Sequence, residues 1–204
     1  MAYPTVSKTY GLKPVNRLDG LPYAGAIRQI PIAAGYATAI LNGDTVAINT
    51  TGYLVAKTTT TTGDSVGVLV GCSYTNSSGQ FTNGQYYPPS QSTSTQLAFG
   101  FVVDDPNAVF RVAATSGQTT TPTAFTRAII GANVAMTVQT GSTNTGDSYY
   151  GIDGATADSA ATLPIRVIDV VPDTATGAAN VAATTYYEFL VKFNLHQYTD
   201  TTGV

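Results

Sequence analysis

His196 is the residue on which catalysis in this chain would have to depend, because it is the single histidine of the sequence. A Ser-His-Asp or Cys-His mechanism needs a nucleophile held beside an imidazole, and no G-x-S-x-G motif occurs in the chain. His196 also lies near the C-terminal end of the sequence, where strands tend to fray. We therefore expect a surface or interface histidine, and we predict that the protein is not an enzyme.

Metal binding has few candidates as well. One histidine and one cysteine, Cys72, cannot complete a zinc site without carboxylates, and the sequence has no C-x-x-C or H-E-x-x-H pattern. Asp147, Asp153 and Asp158 lie among glycines, as calcium ligands often do, but their spacing matches no EF-hand. Solvated loop aspartates are the favoured interpretation. Cys72 lies in an apolar run and is expected to be a buried thiol, so no metal or other cofactor is predicted.

Two further pairs of adjacent residues could take part in catalysis or binding. Asp104-Asp105 precedes Pro106-Asn107, which predicts a turn, and neighbouring side chains on a strand would point to opposite faces. An acid/base pair is therefore the minor alternative. Tyr86-Tyr87 could be a stacking platform for a sugar or an anchor in a protein interface. The enrichment of tyrosine in protein contacts favours the anchor.

The composition limits the classes of partner. Only 10 % of the residues are charged and the net charge is -3, so neither nucleic acid nor a membrane surface finds a broad cationic face. The sequence starts with MAYPTVSKTYGLK, which has no apolar core of a secretory signal, and no apolar run is long enough for a membrane-spanning helix. We expect a protein that is made in the cytoplasm and is not exported by a signal peptide.

The elements that must position these residues are predicted to be strands, because threonine, tyrosine and glycine are abundant and strong helix formers are scarce. A meander is predicted at Thr45–Ile48 and 53–57, and its Gly-Asp turn recurs at Gly63-Asp64. Strands at 97–103 and 109–113, joined by the Asp104-Asp105 turn, are predicted to form a hairpin. A turn of helix is considered within 124–132.

A strand near the C-terminus alternates between two faces, with Tyr187, Phe189, Val191 and Phe193 on one of them, and would close a barrel or sandwich. We therefore predict an all-β fold, a small β-barrel or sandwich built from meander hairpins. Residues 39–204 form a single β domain, with polar insertions near 76–96 and 141–162.

Residues 1–38 are predicted to be an extended N-terminal arm. The segment shows no sustained periodicity, its prolines interrupt any helix, and it contains too many large apolar residues to stay disordered. The arm either wraps its own barrel or grips a neighbouring subunit or the capsid surface. The candidate interface residues, in the arm and in the first insertion, are Tyr10, Leu12, Pro14, Arg17, Leu21, Tyr23, Arg28, Tyr86 and Tyr87.

A series of motifs spans nearly the whole chain: YGLKPV, AGAIRQIPIA, NGDTVAI, GVLVGCSYT with GQYYPP, FVVDDPNAVFRV and FLVKFNLHQY. Their order resembles that in structural proteins of marine tailed phages. The segment GDTVAINTTGYLVA followed by GDSVGVLVG also resembles the small β-barrels of phage head decoration, or cement, proteins. The resemblance implies a virion protein on the capsid surface that binds the major capsid protein and strengthens the shell. It further implies a homo-oligomer, with a trimer expected, and it transfers no catalytic or ligand residues.

Two other functions stay open at this point. A tail or fibre component would use exposed tyrosines for receptor binding. A carbohydrate-binding β module would use Tyr86-Tyr87. Copy number separates the first of these from a head protein, because a decoration protein occurs in hundreds of copies per particle and a tail component in a dozen or fewer.

Overall fold

The computed structural model describes residues 6–23, 25–91, 98–171, 175–176 and 185–200. Its strands are β1 (Lys13–Arg17), β2 (Arg28–Ile32), β3 (Thr45–Ile48), β4 (Leu54–Ala56), β5 (Gly67–Thr75), β6 (Phe81–Gly84), β7 (Ala98–Val103), β8 (Ala108–Thr115), β9 (Phe125–Thr126), β10 (Asn133–Thr137), β11 (Gly151–Asp158), β12 (Ile165–Val170), β13 (Ala175–Thr176), β14 (Thr185–Tyr186) and β15 (Glu188–Phe193). The helical turn considered within 124–132 is a short 3-10 helix, Arg127–Ile129. The all-β prediction is confirmed.

Five strands close into a barrel in the order β8-β11-β10-β12-β15, with β15 pairing back onto β8. The β8–β11 pair is parallel, and the other neighbours are antiparallel. Alternate residues of β15 fill the interior: Phe189, Val191 and Phe193 are all buried. Removing such side chains from water contributes about 1.5–3 kcal/mol each to folding. The alternation predicted for this strand is confirmed from Phe189 to Phe193, whereas Glu188, expected on the other face, is also buried, and Tyr187 is only half-buried.

A second sheet has the order β2-β7-β5-β3-β4, with β6 paired to β5. It has its own core, which includes Ile32, Leu54, Leu69 and Val102. The predicted meander is confirmed here, because β3 and β4 form a hairpin in which Val46 faces Ala56.

The predicted hairpin around Asp104-Asp105 is wrong. β7 pairs with β2 and β5 in the second sheet, whereas β8 belongs to the barrel, so the turn passes from one sheet to the other. The same turn residues suit a hairpin and a sheet-to-sheet connection. The choice between them depends on strands far away in sequence.

The polar segment 141–162 is not an insertion, because it contains the barrel strand β11. Two glycines of β11 lie where neighbouring residues leave no room for a side chain. A Cβ atom on Gly154 would lie 2.7 Å from the Phe125 ring, and one on Gly151 would lie 2.9 Å from the Thr9 side chain.

In the first insertion, 76–96, β6 pairs with β5 to form a hairpin, and residues 92–96 lie outside the described part of the chain.

The arm predicted at 1–38 is part of both sheets over its described residues. β1 pairs with β8 and β2 pairs with β7, so the segment wraps its own domain. Both are edge strands, and each contains a proline, Pro14 or Pro31. Proline at an edge discourages another chain from adding a strand.

Candidate interaction surface

Exposed apolar side chains are concentrated in the segment that runs from β1 to the start of β2. Six large hydrophobic side chains are exposed among the described residues, and four of them belong to this segment, at 47–56 % exposure: Val15 within β1, and Leu18, Leu21 and Ile27 between the two strands. We call these four residues the apolar tip. Several exposed apolar side chains in one short segment make it a candidate contact site.

A tight turn displays the two leucines. The Arg17 amide donates to the Leu21 carbonyl at 2.9 Å, and the Leu21 amide donates to Asp19 Oδ1 at 3.1 Å. Gly20 provides the positive φ of +81° that the turn needs. The Leu18 amide also donates to the Asn107 carbonyl at 2.9 Å, which ties the turn to the β7–β8 connection. The backbone of the turn is therefore ordered, and the Leu18 and Leu21 side chains that it carries are exposed.

Asp104 and Asp105 form ion pairs with arginines at the two ends of this segment. Arg28 Nε lies 2.8 Å from Asp104 Oδ2, and Arg17 Nε lies 3.1 Å from Asp105 Oδ2. Asp105 Oδ1 also accepts a hydrogen bond from the Asn107 amide at 2.8 Å, as expected of a turn former. The adjacent carboxylates thus hold two different arginines, which is a structural arrangement and not an acid/base pair.

His196 belongs to the same region and is buried, with 2 % of its surface exposed, so the expectation of a surface histidine is wrong. Its ring packs against Phe193 at 6.0 Å and Tyr198 at 5.2 Å between centroids. Burial lowers the pKa of His196, and the charges of Asp104 and Asp105 partly oppose this shift. The Tyr198 ring in turn lies 4.8 Å from the Arg28 guanidinium. The histidine therefore packs the C-terminal segment behind the tip.

Tyr86 and Tyr87 do not form a two-ring platform. Tyr87 is fully buried, its hydroxyl donates to the Gln91 carbonyl at 3.0 Å, and its ring contacts Tyr74 edge-on. Tyr86 is half-buried and packs against the loop at Gly146, where a Cβ atom would lie 2.8 Å from its ring. A sugar therefore finds no paired aromatic surface here.

The other predicted interface residues divide into exposed and internal groups. Leu21 and Arg28 are exposed, and Arg17 and Pro14 are partly so. Leu12 is in the barrel core, Tyr23 packs against that core, and Tyr10 donates its hydroxyl to Glu188. The tip residues Val15, Leu18 and Ile27 were apolar members of the arm in sequence, but no pattern showed which of them face outward.

Asp147, Asp153 and Asp158 were expected to be solvated loop aspartates, and this is wrong for Asp153, which is buried in β11. Asp153 is 6 % exposed and accepts hydrogen bonds from the backbone amides of Gly117 and Ala155, whereas Asp147 accepts one from Gln85. Across the described ranges, no three His, Cys, Asp or Glu side chains are grouped closely enough to hold a metal ion. No helical stretch in the described part of the chain has the length and apolarity needed to cross a membrane.

Comparison with known proteins adds no assignment: no protein-family model, curated protein or solved structure matches this chain.

Proposed function

We propose that this chain is a structural protein of a tailed-phage virion, which binds the outer surface of the head and stabilises the capsid. The observation that carries the proposal is the apolar tip, which presents Leu18 and Leu21 on a hydrogen-bonded turn. The backbone of the turn is already ordered, so docking does not have to order it, and the apolar surface of the two leucines contributes to affinity. The sequence resemblance supplies the partner, the major capsid protein.

The mechanism is passive. A protein that binds only the assembled shell shifts the equilibrium towards that shell by mass action. By the same resemblance we expect a homo-oligomer, a trimer, on the capsid surface of particles assembled in the host cytoplasm. Nucleic acid and membrane are not proposed as partners.

A non-enzymatic role is supported by what the reactive residues do. His196 and its neighbour across a backbone bridge, Ser65, are both buried. Asp104 is engaged by Arg28 and Asp105 by Arg17. Burial raises the pKa of the Cys72 thiol to about 12, so it is not a reactive thiolate.

A tail or fibre component is the second candidate. The observation in its favour is a separate exposed aromatic, Phe81, which is 70 % exposed on the β5–β6 hairpin. Exposed aromatics suit receptor contacts as well as capsid contacts.

The first experiment is quantitative mass spectrometry of purified particles of the phage that encodes the chain, followed by particle reconstruction. We expect hundreds of copies on the head. Absence from the particle, or a dozen copies confined to the tail, would overturn the proposal.

The second experiment tests the tip. Purified Leu18→Ser/Leu21→Ser protein is added back to particles that lack the chain, beside wild type and the matched surface variant Phe81→Ser. We expect the tip variant to bind about tenfold more weakly or worse, because buried interface anchors each contribute more than 1 kcal/mol. Phe81→Ser should bind like wild type. Point changes are preferable to deleting residues 1–30, because the deletion would also remove β1 and the core residue Leu12. Equal binding of the tip variant and wild type would reject the tip as the contact.

A further inference from the structure

A cationic groove of about 470 Å³ lies on the outer face of the barrel, beside the start of the N-terminal segment. Its charged lining consists of Lys8, Lys13, Arg111 and Glu188, with Tyr10 between them. The chain has nine Lys and Arg residues in 204, and three of them line this one groove although the net charge of the protein is -3. The groove is separate from the apolar tip, which follows it along the chain.

Two of these cations are placed against each other by the strand register. Lys13 of β1 lies directly opposite Arg111 of β8. Like charges at directly opposed positions destabilise a sheet. Arg111 is balanced by Glu188, but Lys13 donates to the neutral Asn42 Oδ1, at 2.6 Å. The pairing therefore leaves positive charge at this point of the sheet.

Each cation is held in a defined position. The Lys8 ammonium lies 3.7 Å above the centroid of the Tyr149 ring, a cation–π contact. Arg111 directs Nε and Nη2 to Glu188, and its side chain remains 41 % exposed. A ligand that binds here would not have to order these side chains, which lowers the entropic cost of binding.

The carboxylate of the groove balances one of its three cations. Glu188 is 1 % exposed, pairs with Arg111 and accepts a hydrogen bond from the Tyr10 hydroxyl. Burial lowers the pKa of Lys13, and the charges of Asp147 and Asp44 oppose this shift. No ion pair among the residues that the structure describes includes Lys8 or Lys13. An external carboxylate would thus meet two ammonium groups that have no ion-pair partner in the described ranges.

We propose that the cationic groove binds an acidic segment of a partner protein, with carboxylates that contact Arg111, Lys13 and Lys8. The ammonium groups of Lys8 and Lys13 donate to the incoming carboxylates, and Arg111, whose Nε and Nη2 already donate to Glu188, contributes its remaining N–H groups. The groove is a short cluster of cations in a chain of net negative charge. It suits a few side-chain carboxylates better than a phosphate backbone, which needs an extended track of cations. The inference does not depend on the partner being a capsid protein.

The test uses the full chain and a fluorescein-labelled peptide of alternating glutamate and alanine, with the glutamine/alanine peptide as its uncharged match. Fluorescence anisotropy at low salt should show binding of the acidic peptide only. Lys8→Gln and Lys13→Gln should each weaken it by about 3- to 10-fold, the usual range for a partly exposed charge. Lys192→Gln removes a lysine of β15 that does not line the groove and should leave binding unchanged.

Either of two results would overturn the proposal. One is equal binding of the acidic and uncharged peptides, and the other is equal weakening of binding by Lys192→Gln and Lys8→Gln. A single-stranded oligothymidine that binds more tightly than the peptide, and that loses binding in Lys8→Gln, would assign the groove to nucleic acid instead. Circular dichroism and urea unfolding of each variant show that the fold is intact. The apolar-tip experiment is unaffected by any of these results.

Discussion

Arg111 and Glu188 form a two-point ion pair between the neighbouring strands β8 and β15, with Nη2 2.6 Å from Oε2 and Nε 3.0 Å from Oε1. The two ends of the pair differ in environment: the Glu188 side chain is 1 % exposed and the Arg111 side chain is 41 % exposed. Tyr10 also donates its hydroxyl to Glu188, and burial, followed by this contact, raises the pKa of Tyr10. The sole glutamate of the sequence therefore joins the N-terminal segment to the barrel.

Loss of the arginine should be costly, because it leaves the Glu188 carboxylate buried without its ion-pair partner. We expect Arg111→Ala to lower the free energy of unfolding by about 2–3 kcal/mol, less than for a fully buried pair because Arg111 is partly exposed. Tyr10→Phe removes one hydrogen bond and keeps the ion pair, so it should cost about 1 kcal/mol. Urea unfolding at neutral pH measures both, and an equal loss in the two variants would contradict the interpretation.

The N-terminal segment packs closely against the turn that precedes β3, and the closest approach is at Gly11. Gly11 has φ +80°, and a Cβ atom there would lie 2.7 Å from both the Gly43 carbonyl oxygen and the Ser148 Cβ. Gly20 has nearly the same φ, +81°, with no atom within 4 Å of its Cβ position. Gly20→Ala should therefore cost about 1–2 kcal/mol for the left-handed backbone alone. Gly11→Ala should cost about 2 kcal/mol more because of the clash. Thermal unfolding of both variants checks this, and similar losses would show that this close contact tolerates a methyl group.

Asp44 should make stability depend on pH. It is 3 % exposed, Oδ2 accepts a hydrogen bond from the Leu41 amide, and burial raises its pKa from 3.8 to about 6. The folded state then binds a proton more tightly than the unfolded state does, so this stabilisation is complete below about pH 4 and is lost as the pH rises through 6. A shift of this size corresponds to about 3 kcal/mol.

Asp44→Asn should remove that pH dependence. His196 acts in the opposite direction, because burial lowers its pKa and its contribution is lost as the pH falls. The difference in unfolding free energy between wild type and Asp44→Asn cancels the histidine contribution, provided that it is measured at each pH from about 4 to 7. A difference that stays constant over this range would refute the raised pKa.

Asp105 has two roles that substitutions can separate. Asp105→Asn keeps an oxygen for the Asn107 amide and loses the ion pair with Arg17, so it should cost about 0.5 kcal/mol. Asp105→Ala loses both and should cost about 1.5 kcal/mol. Urea unfolding compares the two, and an Asn variant as unstable as the Ala variant would mean that the ion pair, not the turn hydrogen bond, holds the connection.

Local pattern was enough to predict several elements. Gly-Asp and Thr-Thr-Gly turns between β-branched runs predicted the β3–β4 hairpin, and alternation predicted that Phe189, Val191 and Phe193 lie inside. These features depend on residues close together in sequence, where turn chemistry and side-chain period act directly. The exposed side of the arm was not predictable in this way, because β1 contains a bulge at Val15 that breaks the alternation.

The sequence by itself determined the all-β class, the main turns and the absence of familiar catalytic and metal motifs. Tertiary structure alone decided that β7 and β8 belong to different sheets, that β11 is a barrel strand between β8 and β10, and that His196 is buried. It also decided that Lys13 and Arg111 meet across one strand pair and that four apolar side chains of the arm stay outside. The physical reason is that pairing partners and burial are set by contacts between residues far apart in sequence, and a local pattern contains no information about which distant strand lies beside it.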